Sequence, residues 1–237
     1  FVLMNVGTTC PEPVDGLLTT VAWTIPDGSG STRTDYALEG AIFSTGSAIQ
    51  WLRDGLGIIA EAREVGPLAA SVTGTDDVFF VPAFTGLGSP WWDPYARGAL
   101  VGVTRGTTSA HLARAVVESM AFQTRDVVDA MVAHSGHPVA GLRADGGAST
   151  MDLLLQLQAD QLQVPVRRPV VQETTALGAA YLAGLAEGVW GSTDDIEANW
   201  ALDAEFTPAA DRSEVDAVHR RWLQAVGHSR GWAATAP

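Results

Sequence analysis

Two adjacent glycines, Gly146 and Gly147, stand in LRADGGASTMDLLLQ (residues 142–156), between a short apolar run and a strongly amphipathic one. Glycine lacks a Cβ and accepts positive φ, so a planar ligand or a phosphate can touch the backbone there. The helix expected to follow offers free N–H groups and a partial positive charge to an anion. A second such junction is Gly46 in FSTGSAIQW, where a strand pattern turns into a helical one. Each junction alone is equally the mark of a tight turn. Two of them, far apart in the chain, fit a split nucleotide site better than either does singly. A third stretch, TGLGSPWWDPYARG (85–98), holds two adjacent tryptophans and an Asp–Arg pair in a loop longer than most connections in compact domains. It is either a Pro-stiffened loop whose aromatics plug the core or a loop that shapes a site or a partner surface.

Other candidate residues carry less chemistry. His111, His134, His137, His219 and His228 show no metal-ligand spacing and read as surface histidines. Glu118 and Asp126 fall on a long helical pattern and read as solvated or salt-bridged, and Asp160 reads as structural. Cys10 is the only cysteine, which excludes an intrachain disulfide and a thiolate zinc cluster and fits a reducing cytoplasm. No lysine occurs, which excludes a P-loop and any Schiff-base lysine. With 27 acidic and 14 basic residues the net charge is −13, an unsuitable balance for a nucleic-acid or anionic-membrane surface. No apolar run reaches the roughly 18 residues of a membrane span, and no signal-peptide pattern is visible.

The elements that must position these residues follow from periodicity. The 237 residues, 46% of them hydrophobic, suffice for a sizeable core. Phe1 opens the chain inside an apolar run, FVLMNV, so a fragment or trimmed chain with something missing upstream is expected. FVLMNV (1–6) and LLTTVAWTIP (17–26) read as a hairpin with a long loop, DGSGS (27–31) as a turn, and TDYALEGAI (34–42) as the third strand of an antiparallel meander. After Gly46 the spacing becomes helical, and residues 59–71 read as a second helix broken near Gly66-Pro67. VFFVPAF (78–84) reads as a strand, and residues 109–134 as the longest helix, with Ser109 as N-cap. A short strand precedes Asp145, a helix spans 151–162, and VPVRRP (164–169) reads as an edge-like strand. A small-residue helix (174–189) and an amphipathic terminal helix (211–232, with Trp222 and Trp232) complete the series. Neither repeat nor linker interrupts it, so the reading is one α/β domain with a mixed sheet.

Several of these stretches together resemble the C-terminal domain of glycerol kinases, within the FGGY family of sugar and polyol kinases. The carrying segments are YALEGAIFSTGSAIQWLRD, VPAFTGLGSPWWDPYARGALVGVTRGT, HLARAVVESMAFQTRDV, RADGGAS and ETTALGAAYLAGLAEGVW, and the likeness runs from Phe1 to about Trp222. The resemblance implies an actin-like (ribonuclease H-like) ATPase domain, one of two flanking a cleft, that contributes most of a nucleotide site. It implies ATP and Mg²⁺ as cofactors, glycerol as the acceptor and a cytoplasmic enzyme. It places Gly147 against the adenosine, with Gly146 and Ala148 as further nucleotide contacts, and Gly46 and Gln50 near the phosphates. Met151 stands four residues after Gly147, where the family usually has Asn, and is carried as a nucleotide contact despite that departure. Phe1 falls where the family sets a Phe against the substrate's carbon chain. The resemblance also implies that an N-terminal domain, source of the catalytic Asp and of the polar substrate contacts, is missing, so that this stretch alone is inactive. Family members often form dimers or tetramers, so a homo-oligomer is an expectation. Another FGGY polyol or ketose kinase, or a non-catalytic actin-like binding domain, are the alternatives.

Overall fold

The computed structural model describes residues 1–26 and 31–234. The turn expected at DGSGS therefore lies, apart from Ser31, outside the described residues. Three strands open the chain: β1 (Val2–Gly7), β2 (Leu18–Pro26) and β3 (Thr32–Gly40). They form an antiparallel sheet in the order β1-β3-β2, not the sequential meander expected, because β3 pairs with both neighbours. β3 is the strand whose residues are most deeply buried, Ala37 and Leu38 among them, and it takes the centre. Gly40 lets this sheet approach the long helix: a Cβ there would stand 2.2 Å from Val127 Cγ1.

Next come α1 (Gly46–Gln50), continued by a π-helical turn (Trp51–Gly55), and α2 (Val65–Ala70) behind a 3₁₀ turn (Ala62–Glu64). Gly66 and Pro67 do not break α2, contrary to expectation; they sit in its first turn, where a missing N–H forfeits no intrahelical bond. β4 (Phe79–Val81) and β5 (Ala99–Val101) then form an antiparallel ribbon. The loop between them is a brace. Leu87 and Asp93 exchange backbone bonds at 2.9 and 3.0 Å, and Ser89 Oγ accepts from the Ala41 amide at 3.1 Å. Of its aromatics, Trp91 is partly buried and packs against the core, whereas Trp92 and Tyr95 are exposed, so the core-plugging reading holds for Trp91 alone.

α3 (Ser109–Ser135) is the spine of the molecule. Its N-cap is Thr108, not Ser109, with the His111 ring reaching back to the Thr108 amide at 3.1 Å. Alanines at 113, 115 and 121 keep α3 slim enough for other elements to pack on several sides. One cluster joins it to α1, α2, β4 and the later helix α4 (Asp152–Leu162). Another joins it to the β4–β5 ribbon and the terminal helix α7 (Arg212–Ser229), and a third to the first sheet.

β6 (Leu142–Arg143), β7 (Val166–Pro169) and β8 (Leu202–Phe206) form a mixed sheet in the order β6-β7-β8. β7 is therefore central, not an edge; the Pro169 that suggested an edge lies at its last position, where the register already shifts. The sequence reading missed β8, although LDAEF alternates apolar and polar residues as a half-buried strand does. α5 (Thr174–Ala186) and α6 (Thr193–Glu197) lie between β7 and β8. α7 stops at Ser229, so Trp232 lies beyond it and is 71% exposed, whereas Trp222 is buried at 1%. Among the described residues no helix is long and apolar enough to cross a membrane.

Candidate functional site

The two glycine junctions read from the sequence face one cleft of about 960 Å³. Gly46, Ile49, Gln50 and Arg53 line one wall, Gly66, Pro67 and Ala70 of α2 the next, and Gly147, Ala148 and Met151 the third. Local backbone physics explains the third wall. Gly146 adopts φ 78° and ψ 175°, a conformation glycine alone enters readily, and its amide donates to Gln172 O at 2.8 Å. The chain then winds into a 3₁₀ turn (Gly147–Thr150), with Ser149 Oγ donating to Gly146 O at 2.7 Å and Thr150 Oγ1 to Gly147 O at 2.8 Å. Met151 closes the turn and serves as N-cap of α4.

Helix starts converge on this cleft. α1, the Gly147 turn and α4 each begin at its edge, and none has its first amides capped by a side chain, whereas α2 continues directly from a capped 3₁₀ turn. Uncapped N-terminal N–H groups and the positive end of the helix dipole favour an anion. A Cβ at Gly46 or Gly147 would meet nothing within 4 Å, so the backbone there faces open space. The one carboxylate on the lining, Asp152, is held by Arg168 Nη1 at 2.8 Å. Arg168 in turn reaches Asp203 at 2.6 Å, and hydrogen bonds to these two carboxylates raise its pKa. Arg53 grips Asp54 with two bonds of 2.7 and 2.8 Å, which holds the Asp54 carboxyl below its ordinary range. Among the described residues no group of three His, Cys, Asp or Glu side chains is placed to hold a metal ion.

Of the residues expected at a nucleotide site, Gly46, Gln50, Gly147, Ala148 and Met151 line the cleft. Gly146 stands behind that lining and sets the turn. Phe1 lies apart, 86% exposed ahead of β1. The sequence reading missed Arg53, Pro67 and Ala70. For Pro67 and Ala70 the reason is the expected break at Pro67: the position of Gly66-Pro67 in a first turn brings α2 to the cleft.

Two assignments outside the cleft are corrected. His219 is not a surface histidine: it is 7% exposed, with Nε2 at 2.7 Å from Asp126 Oδ1. Asp126 is not solvated; it is buried and also accepts from Trp222 Nε1 at 2.8 Å. Glu118 is salt-bridged as expected, to Arg114 at 2.7 Å, yet burial pushes its carboxyl above the ordinary value. Asp160 is structural, accepting from the amides of Ala209 and Ala210 at 2.7 and 3.2 Å.

The two antiparallel sheets and one mixed sheet, the helices packed on them and the glycine-edged cleft have the actin-like ATPase fold. The chain belongs to the FGGY family of carbohydrate kinases: the profile of that family's C-terminal domain matches residues 1–187. Over 236 of its 237 residues it is 54% identical to a glycerol kinase of Bordetella parapertussis, covering 46% of that protein. Glycerol kinase 2 of Thermotoga maritima is 54% identical over 232 residues, 98% of the chain and 46% of that protein. The chain thus spans about half the length of the curated relatives it matches. Among solved structures it is similar to Plasmodium falciparum glycerol kinase with ADP, at TM-score 0.86 and 32% identity over 96% of this chain and 44% of that one. A xylulose kinase from Lactobacillus acidophilus shares the fold, at TM-score 0.76 and 24% identity over 98% of this chain and 45% of that one.

Proposed function

We propose that this chain is the nucleotide-binding half of a two-domain kinase that transfers the ATP γ-phosphate to glycerol, giving sn-glycerol 3-phosphate. The observation that carries the proposal is the shared cleft. Gly46 and Gln50 on one wall face Gly147 and Ala148 on another, with bare backbone and helix starts at its edge. The neighbour solved with ADP and the glycerol kinases at 54% identity support the same reading.

In this reading Gly147 and Ala148 rest against adenosine, while the open amides at Gly46 and the side chain of Gln50 bind phosphate oxygens. Phosphoryl transfer needs the attacking oxygen, phosphorus and leaving oxygen held in line, with the developing charge neutralised. Mg²⁺ suits a site of few carboxylates and many phosphate oxygens. Asp152, already engaged by Arg168, is the only acid on the lining, so Mg²⁺ would be held chiefly by phosphate oxygens and not by a cage built by this chain. The base that takes the glycerol hydroxyl proton, and the polar groups that hold glycerol, come from the remainder of a longer protein. Exposed Phe1 is free to lie along the glycerol carbons. A cytoplasmic setting and self-association belong to the same proposal.

Calorimetry with ADP and Mg²⁺ on the 237-residue chain tests it. Saturable heat without glycerol phosphorylation is expected. Absence of binding, or turnover by this chain alone at about 1–100 s⁻¹ as in ordinary kinases, would refute it.

A further inference from the structure

The α2 side of the cleft is apolar where a base would lie. Pro67, Ala70 and Met151 line it, with Ala148 and Leu153 beside them. The Met151 side chain lies along α2: a Cβ on Gly66 would stand 3.2 Å from its Cγ and 3.7 Å from its Sδ. Most polar side chains nearby are already engaged, and the Arg63 side chain is 83% exposed. Arg53 is bound to Asp54, Arg63 pairs with Glu61 at 2.6 Å, Thr150 Oγ1 donates to Gly147 O at 2.8 Å, and Arg168 holds Asp152 at 2.8 Å. Gln50 belongs to the opposite wall, on α1. A thioether is only a weak acceptor, so Met151 offers contact and polarisability without a directional bond.

We infer that this cleft binds nucleoside diphosphates with little discrimination between purine bases, the ring being held by Met151, Pro67 and Ala70 through apolar contact. The inference rests on the nucleotide-site reading above. A site built to hydrogen-bond its ligand strongly rejects an analogue that lacks the group, because its own polar atoms are left unpaired; an apolar wall leaves nothing unpaired. Adenine and guanine differ chiefly in edge groups, which such a wall does not read. Guanine's extra amino group also finds room, since about 960 Å³ is at the top of the usual range for ligand pockets.

The test is calorimetric titration of the chain with ADP and with GDP, each with Mg²⁺, on the wild type and on Met151→Asn. Wild-type dissociation constants within about tenfold of each other are expected. Met151→Asn, which adds a donor and an acceptor to the wall, is expected to shift the ADP-to-GDP ratio by about tenfold or more toward one purine. Met151→Gln, closer in length to Met, carries the same test where the Asn variant does not fold. A wild-type preference beyond tenfold overturns the inference and leaves the nucleotide site standing. An unchanged ratio in a folded variant overturns the placement of the base on Met151. No binding by either nucleotide removes the site itself, and the inference with it.

Discussion

His219 Nε2 lies 2.7 Å from Asp126 Oδ1 inside the contact between α3 and α7, and Trp222 Nε1 donates to the other oxygen of the same carboxylate at 2.8 Å. One buried acid on the spine thus satisfies two donors of the terminal helix. Asp126→Ala would bury both donors without an acceptor, and a loss of about 3–5 kcal/mol is expected. Trp222→Phe keeps an aromatic ring near Phe122 but removes the N–H and part of the indole volume at a fully buried site, so a loss above the roughly 1 kcal/mol of the bond alone is expected. Urea unfolding measures both. None of these residues lines the cleft, so nucleotide affinity of the folded variants is expected to stay unchanged.

Two carboxyls give opposite pH signatures. Asp216 is held below its ordinary value of 3.8, first by the hydrogen bond from Arg125 and then, against a smaller desolvation effect, by Arg212. The unfolded chain therefore binds more protons in that window, and stability rises with pH there; this contribution is complete above the unfolded aspartate value and is lost as pH falls through the lowered one. Glu118 is raised above its ordinary 4.5 by burial, so its sign reverses. The folded state binds the extra proton, and stability declines as pH climbs from the ordinary value through the raised one. Urea midpoints measured between about pH 3 and 7 test this. Asp216→Asn is expected to flatten the acid limb, and Glu118→Gln to flatten the decline above it.

How far the sequence could be read depends on whether the deciding physics is local. The junctions at Gly46 and Gly147 were legible because a glycine between two periodicities is a local signal. So were α3, α4 and α7, whose apolar spacing repeats over several turns. Strand order was not legible: β1 pairs with β3 across a long separation, and nothing in FVLMNV states which partner it takes. The centrality of β7 has the same cause, since it depends on a pairing partner distant in the chain, whereas β8 was missed despite the local alternation of LDAEF. His219 was misplaced for a related reason. Only the crossing of α7 over α3 sets it beside Asp126, 93 residues away. Pro67 misled because a proline in a first helical turn and one that breaks a helix look alike until the helix start is known.

The approach of β3 to α3 yields a packing prediction. A Cβ at Gly40 would stand 2.2 Å from Val127 Cγ1 and 3.1 Å from its Cγ2, in a site where Val127 is fully buried. Gly40→Ala is expected to cost about 1–3 kcal/mol through overpacking. Val127→Ala alone costs about 2 kcal/mol by leaving a cavity. Together the changes fill each other's defect, so the double variant should lose less than the sum, with a coupling of about 0.5–3 kcal/mol. Additive losses in urea melts would mean that sheet and helix move apart instead.

The paired glycines separate fold from binding. Gly146 sits at φ 78°, so Gly146→Ala strains the turn and is expected to cost about 1–3 kcal/mol wherever its Cβ points. Gly147 differs: its φ is not positive and a Cβ there meets nothing within 4 Å. Gly147→Val should therefore leave the unfolding midpoint nearly unchanged while placing a branched side chain where the adenosine is proposed to rest. A rise of about tenfold or more in the ADP dissociation constant is expected, equivalent to about 1.4 kcal/mol. Calorimetry on the folded variant reads that rise directly. Wild-type affinity in a variant that melts normally would show that no ligand approaches this backbone, and that two glycines here serve only the entry into α4.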